Sequence, residues 1–406
     1  MSFSSTKFKR INYMKLSTIQ NIEVFFLEYP FPKNLNYKYS GGLVENMIVG
    51  LIKITDSDGE YGLGEVTHAQ FTHQPIIGLV EHFKNILIGL EISQINHAWE
   101  KMYGSSLFWN REGIGIGVMG GINIAMYDML GKKLKLPVYQ LLGGINKEKI
   151  KIYASNGLFT SSDDLIKDAK KAYDMGFRIY KMRVVTPETI INLVKEFKKE
   201  FSSKMDLIVD AVQGSTANPW ATKVSINLAK QLEEYKILFF EEPCRVENIE
   251  GYKEIKRSTN LNIAGAESIP TARAFKPYLE SEVFDVVQFD IATSGFTEGR
   301  RIADLAYIYN KPVALHSWGS AISIMAGIHF GLTIPNSAFT EYCFMDHPLN
   351  DLLFENNKIK IQDGYVEKPE TYGLGVKFNK KLVEQFPYKE KINTMISTNN
   401  TDIQLV

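Results

Sequence analysis

Ile237-Leu238-Phe239-Phe240-Glu241 is the stretch on which the fold turns: four apolar residues in a row run directly into a carboxylate. A short unbroken apolar run reads as a strand buried on both faces, as in parallel sheets. Six other runs have the same form. Arg178-Ile179-Tyr180 leads into Lys181, Leu207-Ile208-Val209 into Asp210, and Ile263-Ala264-Gly265-Ala266 into Glu267. Val286-Val287-Gln288-Phe289 leads into Asp290, Pro312-Val313-Ala314-Leu315 into His316, and Ser337-Ala338-Phe339-Thr340 into Glu341. The closing residues recur at intervals of 23 to 31 positions, and one strand, crossover helix and loops occupy about 30 residues. With residues 150–154 as the first strand there are eight, the number a (β/α)8 barrel requires. Side chains at the carboxyl ends of barrel strands share one mouth, where barrel enzymes keep their chemistry.

The intervening segments fit helices at 163–175, 189–201, 223–235, 248–258, 271–278, 297–309 and 321–334, the first capped at Ser161-Ser162. Upstream the pattern differs. Residues 19–29 read as a strand, and 47–54 pair with 61–66 across the turn Asp56-Ser57-Asp58-Gly59. Helical patterns follow at 74–103, interrupted near Gly89, and at 118–133. The expected division is a disordered tail at 1–13, an α+β capping domain at 14–144, the barrel at 145–352, and a segment at 353–406 that returns to the capping domain. An extended piece is expected at 358–361.

Composition narrows the class. The 406 residues exceed a usual single core, which suits one large domain and a smaller one. Lys plus Arg and Asp plus Glu are equal at 46 each, so no nucleic-acid partner is expected. The 45% hydrophobic content comes in short runs, and no membrane helix is expected. Residues 1–15 are polar and basic and do not resemble a secretory signal. Two cysteines, Cys244 and Cys343, exclude a disulfide framework, and a cytoplasmic location is expected.

Asp210, Glu241 and Glu267 close three successive strands. Three carboxylates at matched register would repel one another, and an oxygen-only donor set suits a hard divalent cation, Mg2+ first and Mn2+ second. Asp290 and His316 close adjacent strands; a carboxylate beside an imidazole fixes its tautomer and raises its proton affinity, as a general base needs. Lys181 and Arg183 alternate on one strand and face one side, where two cations would neutralise an anionic substrate. Of the other histidines, His68 and His73 lie in a loop after the meander; His82, His97, His329 and His347 read as packing or surface residues.

Several of these segments resemble the barrel motifs of the enolase superfamily, mandelate racemase subgroup: Glu241-Glu242-Pro243, Ala264-Gly265-Ala266-Glu267, Val287-Gln288-Phe289-Asp290 and His316-Ser317-Trp318-Gly319-Ser320. Residues Gly120 to Asp128 resemble that family's capping-domain helix, and Tyr372 to Val376 its carboxy-terminal signature. The resemblance implies that Asp210, Glu241 and Glu267 hold Mg2+, that the His316–Asp290 dyad takes the proton α to a substrate carboxylate, and that Glu341 hydrogen-bonds the enediolate oxygen. Lys181 takes the first place of the family's Lys-x-Lys motif. The second holds Arg183, a poor base at neutral pH, which turns the expectation from a two-base racemase towards a one-sided elimination. Val212 also departs from the polar Asn frequent in relatives.

The function expected is therefore a Mg2+-dependent acid-sugar dehydratase yielding a 2-keto-3-deoxy acid. A cycloisomerase of a sugar lactone or anhydro-sugar acid is the alternative, followed by a racemase or epimerase and by a non-catalytic carboxylate-binding protein. The resemblance also implies a homo-oligomer. Tyr37, Tyr39, His68, His73 and Trp109 are candidate substrate contacts from capping-domain loops.

Overall fold

The computed structural model of the protein describes residues 16–389, except 33–36, 40–41, 185, 217 and 356–358. The tail expected at 1–13 lies outside the described residues. Eight parallel strands form the centre: Lys149–Leu158, Ile179–Arg183, Asp206–Asp210, Phe240–Glu241, Ile263–Gly265, Val286–Val287, Val313–Leu315 and Ser337–Cys343. They pair in sequence order, and the last pairs with the first, with Thr340 opposite Ile152 and Cys343 opposite Ser155, which closes the barrel. Side chains alternate across a strand, so Ile179, Ile208, Phe239 and Ala314 face the way Lys181, Asp210, Glu241 and His316 do, two residues on. With Tyr153, Ala264 and Val286 they make a buried cluster that plugs the barrel beneath the polar layer.

The helices around the barrel are amphipathic for a physical reason visible in one of them. In Pro187–Phe201 the buried residues are Ile190, Leu193, Val194, Phe197 and Phe201, the spacing of one helical face. Phe197 stacks on Tyr180 of the adjacent strand with centroids 5.8 Å apart, and each such buried ring contributes about 2 kcal/mol. Ser161, Asn248 and Thr271 cap their helices by accepting from the backbone N–H three residues on.

Several boundaries differ from the sequence reading; the first barrel strand, for one, is Lys149–Leu158 rather than 150–154. The last strand continues past Glu341 to Cys343, so Glu341 stands inside it. The helix after Asp290 starts at Ile291, not 297, because Asp290 itself caps it; Gly295 then breaks it with φ 63° and ψ 178°. Residues 359–361 are irregular, and the extended element is Tyr365–Glu367, antiparallel to the first barrel strand.

The N-terminal unit is an antiparallel sheet of Ile19–Pro30, Asn46–Asp56 and Tyr61–Val66, in that order, covered by helices Gln74–Leu87, Ile95–Ser106 and Ile114–Leu134. Gly62 and Gly64 let the last helix lie directly on the sheet, since a Cβ at Gly64 would overlap the Gly121 carbonyl oxygen. That helix is long and apolar enough to cross a membrane, but its apolar window is 89% buried inside the fold. The chain returns to this sheet at its other end. Phe378 packs on Phe25 at 5.0 Å, and the Lys389 N–H donates to Glu28 Oε2 at 2.7 Å.

Candidate active site

The polar layer at the barrel's carboxyl end is one ion network. Lys181 is fully buried, and its Nζ stands 2.8 Å from Glu241 Oε1, 3.1 Å from Glu341 Oε1 and 3.7 Å from Asp210 Oδ2. Burial alone would strip its proton, but Glu241 and Glu341 hold it well above the ordinary lysine range. Arg183, two residues on and facing the same way, donates from Nη1 to the Asn156 carbonyl at 2.6 Å. Its Nε lies 3.4 Å from Asp210 Oδ2 and its Nη2 3.5 Å from Glu341 Oε1. Burial would raise the Glu341 carboxyl, yet Lys181, His316 and Arg183 keep it well below the carboxylate range.

On the other side, His316 Nδ1 is 2.6 Å from Asp290 Oδ2, which fixes the ring. Asp290 is itself fixed, because its Oδ1 accepts from the Thr293 N–H at 2.7 Å. The opposite ring atom, Nε2, points to Glu267 Oε2 at 3.2 Å and Glu341 Oε2 at 3.5 Å. Burial lowers the proton affinity of His316, but Glu267, Glu341 and Asp290 outweigh it and raise the pKa to about 10.

Asp210 and Glu241 are register partners on adjacent strands, and Glu267 follows the next strand after two residues. The backbone beside all three is left-handed: Val212 has φ 54°, Glu242 φ 43° and Ala266 φ 82°. Non-glycine residues in that region cost about 1 kcal/mol or more each, and such strain gathers at functional sites. The donors suit a hard cation. Glu241 Oε2 and Glu242 Oε1 are buried without a hydrogen-bond partner. Burial and the charge of Asp210 push the Glu241 carboxyl up, and burial with Glu267 does the same to Glu242. That is a deficit of positive charge. Asp210 Oδ2, Glu241 Oε1 and Glu267 Oε2 are turned to Lys181, Arg183 and His316, and Asp210 Oδ1 accepts from the Val212 N–H at 2.8 Å. Among the described residues no three acidic, His or Cys side chains converge on one point as they stand.

Sequence reading brought these eight residues together but missed two of the capping domain that hold the segments following Asp290 and His316. Glu65 is buried and accepts from the Ser320 N–H, the Ser320 hydroxyl at 2.7 Å and the Ser323 N–H at 3.1 Å. Burial raises its pKa to about 7. Asn123 accepts from the Phe296 and Thr297 N–H groups. No local pattern marks either, because their partners lie more than 170 positions away.

The loop candidates divide. His68 stands near Asp290, which opposes the downward push of burial on its ring, and its buried Nδ1 has no partner. His73 instead pairs its Nδ1 with the Tyr388 hydroxyl at 2.7 Å and packs on that ring. Trp109 is half exposed, lies in the turn after Ile95–Ser106 and packs edge-on against His82, 5.8 Å away, which is a contact within the capping domain. Residues Tyr37–Tyr39 form a short strand with Gly42–Val44, while the side chains of Tyr37 and Tyr39 lie outside the described residues.

A closed (β/α)8 barrel with a polar mouth of this kind, roofed by an α+β domain, defines the enolase type of two-domain enzyme. The chain belongs to the enolase superfamily, mandelate racemase subgroup: residues 21–143 match the mandelate racemase / muconate lactonizing enzyme N-terminal domain, and residues 164–382 the enolase C-terminal domain-like family. It is 28% identical over 355 residues to arabinonate dehydratase of Saccharolobus solfataricus, covering 86% of this chain and 93% of that one. It superposes with TM-score 0.81 on the 3,6-anhydro-D-galactonate cycloisomerase of Zobellia galactanivorans at 29% identity, covering 91% of this chain and 99% of that one. A racemase from Streptomyces coelicolor A3(2) with bound magnesium shares the fold at TM-score 0.81 and 23% identity, over 91% of this chain and 99% of that one.

Proposed function

We propose that the protein is a Mg2+-dependent acid-sugar dehydratase, and one observation carries that reading: the mouth offers a proton-transfer group on one side only. His316, oriented by Asp290, turns Nε2 towards Glu267 and Glu341. On the other side Lys181 is engaged by three carboxylates and Arg183 by two carboxylates and a carbonyl. Neither can surrender a proton easily.

Asp210, Glu241 and Glu267 would hold the ion, Mg2+ or Mn2+. Bound there, it would take the substrate carboxylate and offset the charge that grows on its oxygens when the α-proton leaves. Neutral His316 takes that proton, and the C–H electron pair moves into the enediolate. Lys181 and Arg183 place positive charge beside the same oxygens; Glu341, held ionised by those two cations and His316, keeps them there, and would hydrogen-bond an enediolate oxygen only after taking up a proton. The β C–O bond then breaks, His316 returns its proton to the departing hydroxyl as water, and the enol becomes a 2-keto-3-deoxy acid. His68, whose buried Nδ1 has no partner, would meet a substrate hydroxyl from the capping domain. The similarity to arabinonate dehydratase supports the substrate class.

A cycloisomerase is the second reading, favoured by the similarity to the anhydro-galactonate enzyme; the same enediolate would expel a ring oxygen instead of a hydroxyl. Purified protein with Mg2+ is incubated with a panel of aldonates, aldarates and sugar lactones in deuterated water and followed by NMR. Formation of 2-keto acid, abolished by His316→Asn, is the expected result. Ring opening without water loss selects the cycloisomerase. Deuterium washed into recovered substrate, with inversion and no product, points to a racemase, and silence from ion-loaded protein across the panel leaves only carboxylate binding.

A further inference from the structure

Each half of the dyad is followed by a turn that the capping domain holds. Asp290 caps the single turn Ile291–Ser294, which stops at Gly295. The helix resumes at Phe296 with its first N–H groups free of intrahelical partners, and Asn123 supplies the missing cap from the other domain. Its Oδ1 accepts from Phe296 N at 2.9 Å and Thr297 N at 3.1 Å, and its Nδ2 donates to Thr297 Oγ1 at 2.9 Å. A Cβ at Gly295 would press on Asn123, and one at Gly120 would overlap the Ala292 and Thr293 carbonyl oxygens, so the two backbones meet as closely as glycine allows.

His316 has a matching arrangement. The loop Ser317–Ser320 leads into the helix Ala321–Thr333, and Glu65 binds the start of that helix through Ser320 and Ser323. Within the same loop the Ser317 N–H donates to Glu341 Oε2 at 3.0 Å. The strands bearing the dyad, Val286–Val287 and Val313–Leu315, are two and three residues long. One bridge carries the ladder past them, with the His316 N–H donating to the Phe289 carbonyl at 3.2 Å and the Ile291 N–H to the His316 carbonyl at 3.3 Å; the chain that follows each of the two residues is left to the capping domain.

We propose that Asn123 and Glu65 are positioning residues for the base, so that the capping domain sets the distance and angle of the His316–Asp290 pair as well as roofing the mouth. This rests on the dehydratase reading for its kinetic readout but not for its spectroscopic one. Shortening either side chain lets one member of the pair drift, and a displacement of about 1 Å can cost up to a hundredfold in rate.

The test uses Asn123→Ser and Glu65→Asp in the full chain, with Glu100→Ala as control. Glu100 joins the domains through Arg301 at 2.6 Å, on the surface and away from the dyad. With the acid sugar found by the panel, each shortened variant is expected to lose about tenfold or more in kcat, with KM within about threefold. Asn123→Asp, which keeps an oxygen at full reach, is expected to restore most of the rate, and Glu100→Ala to match the parent. The downfield NMR signal of the proton between His316 and Asp290 is expected to move in the shortened variants only. Folded variants that keep both kcat and that signal, or a control that falls with them, overturn the proposal. If one variant fails to fold, the other decides, since they act on different members of the pair. A parent without turnover defeats the dehydratase reading alone, and the NMR signal still decides this one.

Discussion

His316 Nε2 lies 3.2 Å from Glu267 Oε2, so the base and one proposed cation ligand are partners of each other. The carboxylate charge of Glu267 helps to raise His316 to about 10, where the imidazole is protonated and cannot act as a base at neutral pH. A cation on Glu267 would draw that charge away and add its own, which lowers the pKa. Saturating Mg2+ is expected to bring His316 down by about two units or more. Titration followed by imidazole NMR, with and without the ion, measures this; an unchanged value removes Glu267 from the ion site.

Lys181→Met leaves Glu241, Glu341 and Asp210 without their shared ammonium. Breaking a buried ion pair from one side costs about 3 kcal/mol or more. Urea unfolding of the ion-free variant at neutral pH is expected to show that loss, and added Mg2+ to recover part of it. No recovery would mean that the ion does not share these carboxylates.

Gly64→Ala places a methyl group on the Gly121 carbonyl oxygen, between sheet and helix of the capping domain. Overpacking against backbone has no rotamer to relieve it, and a loss of about 2 kcal/mol or more is expected in thermal or urea unfolding. Gly78→Ala, on an open helix surface, serves as the comparison and should be neutral or slightly stabilising.

His329 is buried under Tyr139, whose N–H it accepts at Nδ1, 3.2 Å away. Burial lowers its pKa to about 3 from an ordinary 6.5. A depressed folded-state pKa means that stability is whole above pH 6.5 and drains away as the pH falls towards 3. The stability advantage of the parent over His329→Gln is therefore expected to shrink as the pH falls through that window. Guanidinium unfolding at several pH values reads the difference directly.

The barrel and its rungs were legible because apolar runs and strand-end positions are local facts: Asp210, Glu241 and His316 each stand where their run stops. Glu267 and Asp290 lie two and three residues beyond their hydrogen-bonded strands, and the bridge between Asp290 and His316 carries the series on. Thr293-Ser294-Gly295 read as a loop, since turn residues there mask a helix that only Asp290 and Asn123 together can cap. His73 and Trp109 sat in promising loops, but Tyr388 and His82 are nearer partners than the mouth. Pairings of that kind are set by how the tail and helices fold back, which no local pattern encodes.

Val212, two residues past Asp210, holds a left-handed backbone with a β-branched side chain that is nearly buried. Asn or Gly would sit there with less strain, while neither would leave the same apolar surface beside the carboxylates. Strain and apolar cover thus pull this codon in opposite directions. Libraries randomised at 212 and selected for survival at high temperature should drift to Asn or Gly if the strain weighs more, and should return Val if the apolar cover does.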